Sequence, residues 1–198
     1  MASIFDRPID RVPTVTLAGV ADILADIFPG QDRESLSERF RKAARSGYIP
    51  RRWDGGVYTY GPEGVGTGAL LIAVYDYFKI NDAETPNGVL RACNSWSDIN
   101  PRPPHVPQGV PPIVAASVGV TRGEYWTYKL CPFHCTKTNQ RYIVSEVYDV
   151  SGPMPEANWL PTTFLAVGTL NIALWPLLVP IDRIYDGLRA SAKGRLDA

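Results

Sequence analysis

A crowded group of cysteine and histidine residues lies in the second half of the chain. It reads Cys131-Pro132-Phe133-His134-Cys135, and the remaining residues of these types, Cys93 and His105, are distant in sequence. Thiolate and imidazole groups bind zinc tetrahedrally, but a strong zinc pattern contains two close pairs of ligands. A buried cysteine and a loop histidine are therefore the favoured interpretation. We expect no cofactor, and the candidate metal ligands are Cys131, His134 and Cys135.

The same residues do not form a recognisable catalytic pattern. A nucleophilic cysteine requires a base and usually a carboxylate that orients the base. No carboxylate stands at a recognisable spacing from the cluster at 131–135. The sequence therefore indicates a binding protein rather than an enzyme.

The second chemistry-bearing set is basic. Residues 33–52 contain seven arginine and lysine residues against two glutamates, a net charge of +5, whereas the net charge of the whole chain is zero. A local excess of this kind, and not the total charge, would attract a polyanion, because guanidinium and ammonium groups bind phosphates. The predicted DNA contacts are Arg33, Ser37, Arg39, Arg41, Lys42, Arg45, Arg51, Arg52 and Trp53.

Two helices must position these residues. Thr16 can cap a first helix, whose apolar residues recur at helical spacing until Pro29-Gly30. Ser35-Leu36-Ser37-Glu38 has the form of a capping box and predicts the start of a second helix, which runs to about Ser46. Gly47 suits a left-handed exit from that helix.

A hairpin and a third helix follow. Asp54-Gly55-Gly56 separates residues 48–53 from Val57-Tyr58-Thr59-Tyr60 and predicts a tight two-stranded hairpin. Gly61-Pro62-Glu63 predicts a helix start, because proline is favoured at the first helical position. The order helix, turn, basic helix, hairpin, helix is that of a winged helix-turn-helix.

The first third of the chain resembles the winged helix of MerR-type proteins. The resemblance rests on residues 40–50, which end in Gly47-Tyr48-Ile49-Pro50, and on residues 56–65, which contain the aromatic strand and the Pro-Glu helix start. It covers about residues 16–80 and implies that Arg41 is the recognition-helix arginine, with Arg51, Arg52 and Trp53 in the wing. The segment before Ser35 is longer than in that family, and no dimerising heptad run follows Phe78.

A proline-rich stretch separates the two halves. Residues 86–112 contain seven prolines, a composition that favours an extended connector over a regular helix. We therefore predict a winged helix-turn-helix domain over 1–85, a linker over 86–112 and a second domain over 113–198.

The second half is predicted to be a small antiparallel sheet with one helix. Alternating patterns predict strands over Ile113–Val120 and Glu124–Leu130, joined by a hairpin at Thr121-Arg122-Gly123, and further strands over Arg141–Val150 and Thr163–Asn171. The fold class is thus α+β. The aromatic residues of this half are Tyr125, Trp126, Tyr128, Tyr142 and Tyr148, and they could line a pocket for a small-molecule effector, although a core or an interface is the more usual role.

The last helix is the expected dimer interface. Its apolar residues recur at i, i+4 and i+7, and they exceed what one face against a small sheet needs. Closure of the core of that sheet is the alternative. The predicted interface residues are Trp175, Leu177, Ile181, Ile184, Tyr185 and Leu188.

Two further features bear on location. The uncharged stretch from Trp159 to Ile181 contains Pro161, Pro176 and Pro180, which favours a strand followed by a helix over a membrane span. The N-terminal residues contain no apolar signal region, and three cysteines, an odd number, favour a reducing compartment. We expect a cytoplasmic protein of bacterial or phage type.

These patterns together predict a protein that binds double-stranded DNA in a sequence-specific way. A MerR-like transcriptional regulator acting as a homodimer is the leading expectation. One alternative is a phage-type DNA-packaging protein, similar to small terminase subunits, or a recombination protein, because these resemble the same module. Another is a protein-interaction module that does not bind DNA.

Overall fold

The computed structural model describes residues 13–78, 84–97, 101–138, 141–150, 164–166 and 170–196. These residues form a mixed α+β structure, which confirms the predicted class. In chain order the elements are β1 (Val15–Thr16), α1 (Leu17–Ile27), α2 (Arg33–Arg45), β2 (Arg52–Asp54), β3 (Val57–Tyr60), α3 (Pro62–Phe78), α4 (Glu84–Asn94), α5 (Pro112–Thr121), β4 (Trp126–Cys135), β5 (Arg141–Asp149), β6 (Phe164–Ala166), β7 (Leu170–Ala173) and α6 (Trp175–Leu196).

The chain divides into two compact units whose limits differ from the predicted domains. The N-terminal unit contains the described residues up to Phe78 together with those from Pro176 onward, and the inserted unit lies within residues 79–175. The predicted linker over 86–112 overlaps most of α4 and the first residue of α5, so Pro86 and Pro112 lie inside helices. Both lie near a helix start, where a missing N–H costs no hydrogen bond.

The second helix of the N-terminal unit begins earlier than the capping box predicts. Asp32 is the N-cap of α2, and its carboxylate accepts a hydrogen bond from the Ser35 N–H at 2.7 Å. Aspartate caps a helix as well as serine does, and the earlier start adds three residues to the helix. The first helix has Thr16 at its N-cap as predicted, although no hydrogen bond from the Thr16 side chain caps it.

The predicted hairpin is confirmed. Strands β2 and β3 pair antiparallel, with Trp53 opposite Tyr58 and Asp54 opposite Val57. Gly55 and Gly56 both have positive φ angles, of 54° and 88°, which the tight connection requires and which other residues adopt at a cost. The short strand β1 pairs with the other edge of β3, so the sheet order is β1-β3-β2.

Two glycines let helix α3 approach α2 and the segment that follows α2 closely. A Cβ at Gly68 would lie 2.2 Å from Cε2 of Phe40, and a Cβ at Gly64 would lie 2.4 Å from the Pro50 carbonyl oxygen. Phe40 is fully buried and also meets the ring of Tyr60 edge-on, with 4.9 Å between the ring centroids. Phe40 and Gly68 therefore form a tightly packed contact between α2 and α3.

Helix α6 completes the core of the N-terminal unit. Tyr185 is buried, and its hydroxyl donates a hydrogen bond to the Tyr60 carbonyl oxygen at 2.6 Å. Ile181 and Leu178, one and two turns earlier, are also buried. The C-terminal helix thus belongs to the unit that contains the basic helix, and not to the sheet that precedes it in the chain.

The inserted unit contains α4, α5 and the second sheet. Strand β4 lies in the middle of this sheet: β5 pairs with one edge, and β6 and β7 pair with the other. The predicted strand over Ile113–Val120 is wrong, since these residues are helical in α5, and the predicted hairpin at Thr121-Arg122-Gly123 is the exit of that helix. Nearly every side chain of α5 is buried, so its sequence has no polar face to reveal the helical period.

The described residues of the uncharged stretch from Trp159 to Ile181 form two short strands, β6 and β7, and the start of α6. Among the described residues, none of the helices combines the length and the apolar character needed to cross a bilayer.

Candidate nucleic-acid interface

The outer face of α2 carries its unpaired basic residues. The buried stripe of the helix is Leu36, Phe40 and Ala44, and a rotation of about 100° per residue places Lys42 on the opposite side, with Arg45 beside it. Both side chains are exposed. Neither forms an ion pair with another described residue. These two cations are therefore available to an external anion.

Arg41 is exposed on the same face but has an internal partner. Its guanidinium forms an ion pair with the Glu38 carboxylate one turn earlier, and both side chains remain about half exposed. A pair this exposed contributes little to stability and can exchange for a phosphate. Glu34 is also exposed, so the acidic residues lie in the first half of α2, and its basic residues other than Arg33 lie in the second half. The same distribution compensates the helix dipole, which makes it compatible with a purely solvated helix as well.

Arg33 and Arg39 join helices to one another. Arg33 forms an ion pair of 2.7 Å with Asp22 of α1, and Arg39 forms one of 2.5 Å with Asp76 of α3. The Arg39 guanidinium also donates a hydrogen bond of 3.1 Å to the Gln31 side chain. Both arginines therefore connect α2 to a neighbouring helix, and the pair of Arg33 is at least as exposed as that of Arg41. Their predicted contacts with DNA stay a prediction.

The hairpin presents an exposed group of two aromatic rings and one cation. The rings of Trp53 and Tyr58 meet edge to face across β2 and β3, with 4.8 Å between centroids, and the Arg51 guanidinium lies 4.0 Å from the centre of the Tyr58 ring. Trp53 is 65% exposed and Tyr58 is 44% exposed. Large aromatic rings that are exposed beside a cation make this face of the hairpin a candidate binding surface.

Tyr58 was not among the predicted contacts. The sequence could have indicated it. Residues that are opposite each other in a hairpin lie on the same side of the sheet, and a two-residue turn at Gly55-Gly56 places Tyr58 opposite Trp53. Arg52 points elsewhere: its guanidinium lies 3.6 Å from the Glu63 carboxylate at the start of α3. Ser37 is half-buried on α2.

Burial controls the protonation of the tyrosines behind this surface. Desolvation raises the pKa of Tyr60, and the positive charge of Arg51 partly opposes the shift. Desolvation also raises the pKa of Tyr185 well above its ordinary value, with the carboxylate of Glu63 acting in the same direction. Both hydroxyls therefore stay protonated throughout the neutral range.

The predicted dimer residues differ in their burial. Leu177, Ile181 and Tyr185 are core residues of the chain's own N-terminal unit, so they are not surface available to a second copy. Trp175 is 58% exposed and Leu188 is 37% exposed. Ile184 is half-buried.

The cysteine and histidine cluster lies on β4. Cys131 is buried there, as the structural interpretation predicts, and Cys93 is buried on α4. The side chains of His134 and Cys135 lie outside the described residues. A strand rises about 3.3 Å per residue, so the backbones at 131 and 135 are about 13 Å apart, a separation that does not favour a shared ion. Of the aromatic residues predicted to line a pocket, Trp126, Tyr128 and Tyr148 are buried.

Comparisons of the chain with family models, with curated proteins and with solved structures found no match.

Proposed function

We propose that the N-terminal unit is a winged helix-turn-helix that binds double-stranded DNA, with α2 in the major groove. The observation that carries the proposal is the outer face of α2, where Lys42 and Arg45 are exposed and have no ion-pair partner among the described residues, and where Arg41 is paired with an exposed glutamate. An α-helix fits the major groove, and basic side chains on its outer face then meet phosphates and guanine edges.

The elements around α2 support this role. Arg33 and Arg39 connect α2 to α1 and to α3 through ion pairs, and the buried ring of Phe40 packs against Gly68 of α3. The buried contact contributes more to the position of α2 than the exposed pair of Arg33 does, and a helix that is already positioned lowers the ordering cost of binding.

The hairpin is proposed as the wing that grips the neighbouring backbone. Arg51 supplies the charge for a phosphate, while Trp53 and Tyr58 supply apolar surface for sugar rings. Contacts of this kind position a protein on the duplex and carry no sequence information, so specificity belongs to α2.

For the cellular role, we propose a transcriptional regulator that binds DNA as a homodimer. One winged helix contacts few base pairs, and binding to two half-sites related by two-fold symmetry raises the specificity. DNA packaging and recombination remain alternatives that use the same surface. Mapping of bound sites in the genome separates them, since a regulator occupies promoters and the others occupy packaging or attachment sites.

Binding to random duplex at several salt concentrations tests the core proposal. The double variant Lys42→Ala/Arg45→Ala should bind more weakly and should lower the slope of log K against log[salt] by up to about 2, since each lost phosphate contact removes about 0.9. The matched control is Arg122→Ala/Lys137→Ala, which removes two exposed cations from the inserted unit. Equal affinity and slope in the wild type and both variants would favour the protein-interaction module.

The wing is tested in the same assay. Arg51→Ala/Trp53→Ala should weaken binding to specific and random duplexes by the same factor, because backbone contacts are independent of sequence. Arg52→Ala is the control within the hairpin, since its guanidinium is directed at Glu63. A loss confined to the specific duplex would contradict the assignment of the wing to the backbone.

A further inference from the structure

Three side chains of types that bind metals converge in the inserted unit. They are His105 in the loop before α5, Glu124 between α5 and β4, and Asp149 at the end of β5. One ligand atom from each residue lies within 4.8 Å of the other two. The three residues are separated by 19 and 25 positions in the sequence, so the fold and not a local motif brings them together.

Glu124 is held in position by its neighbours. Its Oε2 atom accepts a hydrogen bond of 2.9 Å from Nε1 of Trp126, whose ring is buried. The same oxygen lies over Gly119, where a Cβ would approach it to 2.4 Å. The indole N–H and the glycine backbone therefore fix the orientation of this carboxylate. Hydrogen-bond partners of metal ligands commonly fix the orientation of those ligands in the same way.

Asp149 is held by the sheet. It lies opposite Trp126 in the pairing of β4 with β5, and the next residue, Val150, donates its N–H to the Tyr125 carbonyl oxygen at 2.7 Å. Trp126 therefore connects the two acidic residues: its side chain contacts Glu124, and its backbone lies beside Asp149. The distance between the two acidic segments is set by regular strand pairing.

The loop that carries His105 is anchored on both sides of the histidine. Val106 is buried, and its N–H donates to the Pro103 carbonyl oxygen at 3.0 Å. Further along, the Val110 carbonyl oxygen accepts a hydrogen bond of 2.8 Å from Nε1 of Trp96. The imidazole is exposed, so the cluster is open to solvent on the side of His105.

We propose that His105, Glu124 and Asp149 bind a divalent transition-metal ion. Two carboxylates balance the charge of the ion, and a neutral imidazole supplies a nitrogen donor. A mixed nitrogen and oxygen set suits Mn²⁺, Fe²⁺ or Zn²⁺ better than Ca²⁺, which takes six to eight oxygen ligands. Three protein ligands leave coordination positions for water, and the bound ion ties the loop, the start of β4 and the end of β5 together.

This proposal is independent of DNA binding, since the three ligands lie in the inserted unit and the basic surface lies in the N-terminal unit. It also differs from a zinc site at the cysteine cluster, which would use thiolate ligands. The two sites can be separated by the choice of ion, because thiolates select zinc while carboxylates accept manganese.

Titration of the full chain with Mn²⁺ tests the site. The protein is stripped with a chelator, the chelator is removed, and free Mn²⁺ is followed by its electron paramagnetic resonance signal. We expect one saturable site per chain. His105→Ala, Glu124→Gln and Asp149→Asn should each weaken binding at least tenfold, since removal of even an outer partner of a metal ligand costs 10- to 100-fold.

Two variants serve as controls. Glu146→Gln removes the same charge from the same strand and preserves an oxygen that accepts the hydrogen bond from Ser97. His134→Ala removes the other histidine of the chain. Both should bind Mn²⁺ as the wild type does. Thermal unfolding without metal checks the fold of every variant, and His105→Ala decides the matter if a carboxylate variant fails to fold, because its side chain is exposed.

Three results would overturn the proposal. The first is the absence of saturable binding in the wild type. The second is unchanged affinity in His105→Ala. The third is loss of binding in His134→Ala with retention in His105→Ala, which would place the ion at the cysteine cluster on β4.

Discussion

The hydrogen bond between Tyr185 and Tyr60 joins residues that are 125 positions apart. The Tyr185 hydroxyl is removed from water and finds its partner in a backbone carbonyl oxygen, which is the usual condition for a buried polar group. The pKa of Tyr185 is raised by this burial. Because the unfolded chain loses the phenolic proton near pH 10 and the folded chain keeps it, the stabilisation is complete below pH 10 and falls as the pH rises above it.

The variant Tyr185→Phe should show both effects. It should lower the free energy of unfolding by about 1 kcal/mol at neutral pH, the usual contribution of one hydrogen bond. It should also lose less stability than the wild type between about pH 10 and pH 11, since phenylalanine has no proton to retain. Urea unfolding at several pH values measures both, with Tyr125→Phe, an exposed tyrosine, as the control. An alkaline loss identical to that of the wild type would contradict the buried phenol.

Gly68 offers a second test at the same scale. The variant Gly68→Ala places a methyl group 2.2 Å from the fully buried ring of Phe40, which has no room to retreat. We expect a loss of about 1–3 kcal/mol from overpacking, more than the gain of about 1 kcal/mol in helix propensity. Gly187→Ala, on α6 with nothing within 4 Å of the added atom, should instead be neutral or stabilising. Denaturant unfolding should therefore show a loss of stability for Gly68→Ala and none for Gly187→Ala.

Single residues show where sequence reasoning about the candidate site stops. Arg33, Arg39, Lys42 and Arg45 are equivalent as basic residues of one helix. Only the positions of Asp22 and Asp76 on neighbouring helices decide that the first two have ion-pair partners within the fold. That information is not local, so a charge count along the sequence does not show which cations are paired.

Among the elements, those of the N-terminal unit are well predicted because their signals are local. The glycine pair at 55–56, the proline at 62 and the aspartate–serine region before α2 each act within a few residues. The inserted unit is predicted less well because α5 is buried almost all round, and an apolar run without a polar face fits a strand as well as a helix. The prolines of residues 86–112 predict an extended connector, but Pro86 and Pro112 each lie near the first turn of a helix, where proline is tolerated.

The start of α2 can be tested directly. Asp32→Ala should lower the free energy of unfolding by about 1 kcal/mol, because it removes the side-chain acceptor of the Ser35 N–H. Ser35→Ala should have an effect near zero, since Ser35 takes part through its backbone. Chemical denaturation of both variants distinguishes the two helix starts. A larger loss for Ser35→Ala would restore the capping box as the helix start.

For the whole molecule, the position of α6 is the feature that local patterns could not predict. The spacing of its apolar residues predicts a helix, which is confirmed. The predicted partner is the sheet before it or a second copy, whereas the helix covers a surface of the N-terminal unit. Periodicity shows that a helix has an apolar face and does not show which partner that face meets.

Deletion of residues 176–198 tests this arrangement. It removes the buried side chains of Leu177, Leu178, Ile181 and Tyr185. At about 1.5–3 kcal/mol each, their burial is comparable with the whole stability of a domain, so the N-terminal unit should unfold and DNA binding should be lost. Near-ultraviolet circular dichroism and duplex binding measure the two effects. A truncated chain that stays folded and only changes from dimer to monomer would support the dimer interface instead.

The control for that deletion is Trp175→Ala/Leu188→Ala. These side chains are exposed, so the double variant should retain the fold. If it also weakens self-association in sedimentation experiments, the exposed part of α6 contributes to the proposed homodimer. Unaltered association would place the dimer contact elsewhere.

The return of α6 to the N-terminal unit also has a consequence for biosynthesis. A ribosome makes Tyr60 and the basic helix early, but it makes Tyr185 only after another 124 residues have been added. Until then the carbonyl of Tyr60 lacks the hydroxyl of Tyr185, and the buried side chains of α6 are missing from the nascent N-terminal unit. Translation that stops within the inserted unit therefore releases a product that contains every basic residue of α2 but lacks the helix that completes its core. Such fragments would be substrates for chaperones and proteases rather than competitors for DNA.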